Sequence, residues 1–287
     1  MTRQIALTDE MRASLAKSPE AHKYGHGHAL VLSGGAGQGG AARLAARAAL
    51  RVGAGLVTIA APTASFYEQA AHLTAVMLAA LPDSYSLRGL LQDDRLNALC
   101  LGPGLGQKRA AEMVPAALWG ARATVLDADA LTAFEHEPDH LFTQTHGKVV
   151  LTPHLGEFRR IFPDLAETLK AGDDTTQSKL DATSAAAQRA GCTVLLKGAE
   201  TTIATPEGET ALHCATGARA APWLATAGAG DVLAGIITGL LARGQSPFEA
   251  ACTGTWLHVE AARTFGPGLI AEDLPEALPQ VFRDIGL

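Results

Sequence analysis

The chain has 287 residues, 47% of them hydrophobic, enough to bury a large core in one α/β domain or two smaller ones. Its formal net charge of -6 supplies no basic stripe for a phosphate backbone, so a nucleic-acid partner is not expected and any phosphate is held locally. No signal-peptide core or apolar run of membrane-spanning length is legible, and Cys100, Cys192, Cys214 and Cys252 stand apart without a C-x-x-C pair. The expectation is a cytoplasmic protein with buried, reduced thiols and no membrane contact.

In chain order, residues 29–32 read as a buried strand, 33–40 as a Gly-rich turn, 41–52 as a helix ended by Gly53 and Gly55, and 56–60 as a second strand. That order is a parallel βαβ unit. Further strands are predicted at 98–101, 124–127, 148–152 and 193–197, each ending in a turn rich in Gly, Pro, Asp or His. A mostly parallel sheet follows, with ligands expected beyond the carboxyl ends of its strands. Residues 201–204 and 209–214 around the turn 205–208 read instead as a β-hairpin, a candidate flap. Residues 173–178 form the most loop-like interior stretch, followed by a helix over 179–190. Without a linker, low-complexity tract or repeat, residues 1–287 are read as a single domain.

The run Gly228-Ala229-Gly230-Asp231 precedes an apolar segment and opens a long helix. Its backbone N–H groups and small residues suit an anion, and Asp231 could act on a hydroxyl beside it; alone, the run equally fits a plain helix start with Asp231 as a capping acid. Thr152-Pro153-His154-Leu155-Gly156-Glu157 leaves a strand end and places His154 and Glu157 at the same sheet edge. Glu157 suits a hard cation such as Mg²⁺, directly or through water, although alone it reads as a first-turn helix acid and His154 as a hydrogen-bonded structural residue. Lys197-Gly198-Ala199-Glu200-Thr201 leaves another strand end, where a Lys and backbone amides could meet nucleotide phosphates. Asp127-Ala128-Asp129 could hold magnesium, but capping the next helix is the preferred reading. His22, His26 and His28 lack metal-site spacing. Arg43, Arg47 and Arg51, four apart, mark a solvated or subunit-contacting helix face.

Taken in order, His22-Lys23, Gly40-Ala41, Gly53-Ala54-Gly55-Leu56-Val57, Gly102-Pro103-Gly104-Leu105-Gly106, Asp127-Ala128-Asp129-Ala130-Leu131, Thr152 to Glu157, Lys197-Gly198 and Gly228-Ala229-Gly230-Asp231-Val232-Leu233-Ala234-Gly235 resemble the ADP-dependent NAD(P)H-hydrate dehydratase family. That family is a branch of the ribokinase-like superfamily. The resemblance implies an α/β, ribokinase-like three-layer fold with a hairpin near the nucleotide site. It implies repair of hydrated NADH or NADPH, with ADP (or ATP) as cosubstrate and Mg²⁺. In that reading Asp231 is catalytic; Ala41, Gly104, His154 and Asp231 line the hydrated-dinucleotide site; and Lys197, Gly198, Ala199, Glu200, Thr201, Gly228 and Gly230 contact the adenine nucleotide, with Glu157 organising the metal. It further implies a homo-oligomer, possibly a tetramer, with any epimerase on a separate chain. Beside a helix N-terminus Asp231 is expected to be a weak base that mainly positions the hydroxyl. Two departures stand out: Ala229 replaces the usual Thr or Ser, and residues 215–220 replace an Asn-Pro-Thr-Gly-Asn type of stretch. His154, where related small-molecule kinases often carry Asn, favours the dehydratase branch over a vitamin-precursor or small-alcohol kinase. A non-catalytic nucleotide-binding regulator is the third reading.

Overall fold

A computed structural model of the protein describes residues 2–169 and 175–287. Among the described residues ten strands join one sheet: β1 (Arg3–Gln4), β2 (His28–Leu32), β3 (Leu56–Ala61), β4 (Met77–Ala80), β5 (Leu96–Leu101), β6 (Ala123–Leu126), β7 (Val149–Leu151), β8 (Thr193–Leu196), β9 (Glu200–Ala204) and β10 (Thr210–Cys214). The helices are α1 (Asp9–Leu15), α2 (Gly40–Arg51), α3 (Phe66–His72), α4 (Ser84–Leu90), α5 (Gln107–Trp119), α6 (Asp129–Thr132), α7 (Pro138–Phe142), α8 (Leu155–Ile161), α9 (Pro163–Thr168), α10 (Thr176–Ala190), α11 (Ala229–Ala242), α12 (Pro247–Phe265) and α13 (Asp273–Asp284).

The spatial order is β1-β10-β9-β8-β7-β6-β5-β2-β3-β4, and among the described pairings only the two that involve β9 are antiparallel. The chain runs outward from β2 to β3 and β4, then returns to β5 on the other side of β2. This makes the β2/β5 crevice a switch point where loops diverge and a ligand can enter. The expected parallel sheet is therefore present, and its central strands are buried on both faces. In β2, Ala29 and Val31 join the core shared with α2, α11, α12 and α13, while Leu30 and Leu32 join the core shared with α5, α8 and α10. That alternation is the period of a strand sandwiched between two helical layers.

Small residues bring α2 and α11 into close contact. A Cβ at Gly235 would sit 2.1 Å from the Ala45 carbonyl oxygen, and one at Gly239 would sit 2.6 Å from that of Ala49. The high Ala and Gly content serves this backbone-to-backbone approach, which fixes the helix carrying Asp231 against the helix carrying Ala41.

Several expectations need revision. The hairpin is formed, but it is no flap: β9 pairs with β8 and β10 with β1, so both strands extend the sheet. The loop read at 173–178 ends sooner, because the Thr175 side chain accepts from the Ser178 N–H and starts α10 at Thr176; Asp173 and Asp174 lie outside the described residues. The Arg stripe of α2 is solvated as expected at Arg47 and Arg51, and it also meets the protein's own acids: Arg47 and Arg51 each pair with Glu276 of α13 at 2.5 Å, and Arg43 reaches Glu68 and Gln69. The cysteines are free thiols, with Cys100, Cys192 and Cys252 buried and Cys214 half-buried. Among the described residues no helix is long and apolar enough to cross a membrane.

Candidate active site

The loops beyond β2, β5, β6, β7 and β8 converge on one edge of the sheet. After β5, Gly102 takes φ +123°, and a Cβ there would lie 1.7 Å from the Asp127 carbonyl oxygen, so only glycine lets the loops after β5 and β6 meet. Gly104 lies against α2, with the Ala41 Cβ 3.2 Å from where a Gly104 side chain would begin. These two predicted substrate contacts are thus neighbours. Between the two aspartates of the β6 loop, Ala128 adopts φ +46°, a strained conformation for a residue with a Cβ.

Neither of those aspartates caps α6 through its side chain. Asp129 Oδ2 accepts from the Gly106 N–H at 2.8 Å and ties the β6 loop to the β5 loop. Asp127, 1% exposed, accepts from Lys197 Nζ at 2.6 Å. The capping preference was wrong because the partner arrives from β8, where sequence order hides it. Lys197 also stands 3.8 Å from Glu157 Oε2. Burial works against the Lys197 charge, but Asp127 and Glu157 outweigh it and raise its pKa, so Lys197 stays protonated.

His154 is the N-cap of α8. Its Nδ1 accepts from the Gly156 and Glu157 N–H groups at 2.9 and 3.1 Å, while Glu157 Oε2 accepts from the His154 N–H at 2.8 Å. This is a capping box with histidine in the role usually taken by Ser or Thr. Because Nδ1 accepts, the neutral ring carries its proton on Nε2, 3.4 Å from Glu157 Oε1. Burial pushes the Glu157 carboxyl up and Asp127 adds to that, against the pull of Lys197.

Gly228, at φ +88°, turns the chain into α11. Among the described residues the N–H groups of Gly230 and Asp231 find no acceptor within the chain, and Lys197 Nζ lies 3.3 Å from the position of a Gly230 Cβ. An amide-lined helix start beside a buried ammonium is an anion site. Asp231 is half-buried at its rim. Burial first, then the nearby Asp127 charge, pushes its carboxyl up to about 6, with Lys197 partly opposing. The expected weak base is therefore corrected: desolvation and a second carboxylate outweigh the helix dipole, leaving Asp231 a competent proton acceptor near neutrality.

A cavity of about 740 Å³ opens beside this helix start. Of the predicted contacts, His154, Lys197, Gly198, Ala199, Thr201 and Gly230 line it. Ala41, Gly104, Glu157, Asp231, Glu200 and Gly228 are not among its walls: the Glu200 carboxylate accepts from Thr176 and faces Lys179 of α10, while Gly228 is wedged between Leu44 and Ala271. The remaining walls are built by the segment 215–226, of which 215–220 stands where the family pattern departs, and by Thr255, His258 and Val259 of α12, which were unforeseen from sequence. Helix α12 announces nothing at its sequence positions, since a wall residue of a buried helix carries no motif.

A mostly parallel sheet between two helical layers, with a helix-start anion site, a buried lysine and a raised aspartate beside one cavity, is the architecture of the ribokinase-like fold. A ribokinase-like superfamily protein from Enterococcus faecalis V583 shares the architecture at a TM-score of 0.78 and 22% identity, covering 99% of this chain and 96% of that one. The sequence profile of the Carb_kinase family, described as NAD(P)H-hydrate dehydratase, matches residues 29–279, and the chain belongs to that family.

Among relatives, the ADP-dependent (S)-NAD(P)H-hydrate dehydratase of Neisseria meningitidis serogroup B is 35% identical over 253 residues, covering 86% of this chain and 80% of that protein. The bifunctional NAD(P)H-hydrate repair enzyme of Moorella thermoacetica is 37% identical over 284 residues, covering 92% of this chain and 51% of that protein. The chain thus spans about half the length of the bifunctional relatives it matches. The ADP/ATP-dependent NAD(P)H-hydrate dehydratase from Bacillus subtilis, co-crystallised with ATP/Mg²⁺, superposes at a TM-score of 0.81 with 28% identity over 97% of each chain.

Proposed function

We propose that the chain dehydrates hydrated NADH or NADPH at the expense of ADP or ATP, as one catalytic unit working in the cytoplasm. The observation that carries this reading is the Asp231 carboxyl, raised to about 6, beside the unengaged N–H groups of Gly230 and Asp231. Asp231 accepts the proton of the ring hydroxyl as its oxygen attacks the terminal phosphorus of ADP. The bond from that phosphorus to AMP breaks, and the amides of the helix start stabilise the charge on the transferred group. The nitrogen lone pair of the ring then helps expel phosphate, and loss of a proton from the neighbouring carbon restores the double bond. Lys197 faces the phosphates, Gly198, Ala199, Thr201 and Gly230 border the nucleotide, and Ala41, Gly104 and His154 border the hydrated ring and its dinucleotide.

No three acidic or imidazole groups among the described residues form a cage for a metal. Glu157 is the carboxylate that would organise a magnesium ion, one that takes most of its ligands from phosphate oxygens and water. Such an ion would neutralise charge on the phosphates. By the same family reading the protein assembles as a homo-oligomer. Incubation with ADP, magnesium and hydrated NADH tests the function: the expected result is recovery of reduced-nicotinamide absorbance with AMP and phosphate formed in equal amounts. Phosphorylation of a vitamin-type alcohol from ATP, without that recovery, would assign a kinase instead.

A further inference from the structure

His258 of α12 lies beneath the helix start, 8% exposed, and its Nε2 is 2.9 Å from the Ala229 carbonyl oxygen. A carbonyl only accepts, so Nε2 carries the proton and donates. Burial pushes the imidazole down to about 4, which keeps the ring neutral and the tautomer fixed. The acceptor is not an arbitrary carbonyl. The Ala229 C=O and the Gly230 N–H belong to one peptide unit, planar through resonance, with the two groups pointing opposite ways. A donor on the oxygen fixes the plane from behind and draws electron density from the nitrogen, so the N–H in front becomes a firmer donor.

We propose that His258 is a positioning residue that aims and polarises the Gly230 N–H toward the phosphates of the bound nucleotide, acting through the Ala229–Gly230 peptide. The proposal rests on the nucleotide reading of this cavity. It also gives position 229 a meaning: with alanine there, no hydroxyl supplements the amides, and the quality of the Gly230 donor matters more. Lys197 and His258 then hold the anion site from two sides, one by charge and one through a backbone dipole.

The test compares His258→Leu, which removes the donor, with His258→Gln, whose amide reaches a similar position and restores one. In nucleotide-free protein the Gly230 backbone amide resonance should move in H258L and return toward the wild-type position in H258Q. ADP affinity should fall about tenfold in H258L, adenosine affinity should stay within about twofold, and H258Q should recover most of the loss. If H258L does not fold, His258→Asn, too short to reach the carbonyl, serves the same comparison. Equal losses for ADP and adenosine, or a Gly230 resonance that does not move, would overturn the proposal. A wild type that shows this binding pattern yet leaves hydrated NADH unchanged would overturn the reaction and leave the role of His258 standing.

Discussion

Replacing Asp231 with asparagine should make the protein more stable while it removes turnover. Asp231 is raised from 3.8 to about 6 by burial and by Asp127. A shift of about two units, at about 1.36 kcal/mol each, means that holding the carboxylate ionised costs the fold up to about 3 kcal/mol, less whatever residual solvent screens. The sign follows from a pKa raised in the folded state: the unfavourable term is absent below about pH 4, grows as pH rises from about 4 to about 6, and is constant above. Asn carries no charge and escapes it. Urea melts of both proteins at several pH values should therefore show the Asn variant gaining an advantage through that window and keeping it at pH ~8. Turnover should fall by about 10²–10⁴ with loss of the base. An Asn variant less stable at every pH, or an advantage that does not change with pH, would refute the electrostatic account of this site.

In the wild type, kcat/KM should rise with pH through about 6 as Asp231 ionises, read from a pH-rate profile; a profile flat across that range contradicts Asp231 as the base. Lys197→Met should cost about 3–5 kcal/mol in denaturant melts, because it leaves Asp127 buried without its partner, and should move that rising limb to higher pH. His154→Ala should lose about 1 kcal/mol by removing the α8 cap and should raise KM for the hydrated dinucleotide more than for ADP. Gly235→Ala should destabilise by about 3 kcal/mol, measured by thermal unfolding, since its methyl would press on the Ala45 carbonyl.

The βαβ rhythm was legible because buried strands and glycine-rich turns leave local signals, and the helix start at Gly228 was legible because glycines before an apolar run have few other uses. What sequence could not show was which groups meet. A carboxylate after a strand reads as a cap whether or not a lysine from another strand pairs with it, and so Asp127 was misjudged. The hairpin pattern at 201–214 specifies two strands but not whether their outer edges are paired, so a flap and a sheet extension look alike until β1, only two residues long, is found beside β10. For Asp231 the helix dipole was visible in the sequence, whereas the burial that overrides it was not. The α12 wall, His258 included, depends wholly on tertiary packing.

The central claim is that the ring hydroxyl attacks phosphorus before it leaves. Hydrated NADH carrying ¹⁸O in that hydroxyl, incubated with the protein, ADP and magnesium, decides it by mass analysis of the products. The label should appear in inorganic phosphate, one atom per molecule of NADH restored. Label recovered in water, with unlabelled phosphate, would mean direct dehydration and would contradict the role given to Asp231 and the anion site.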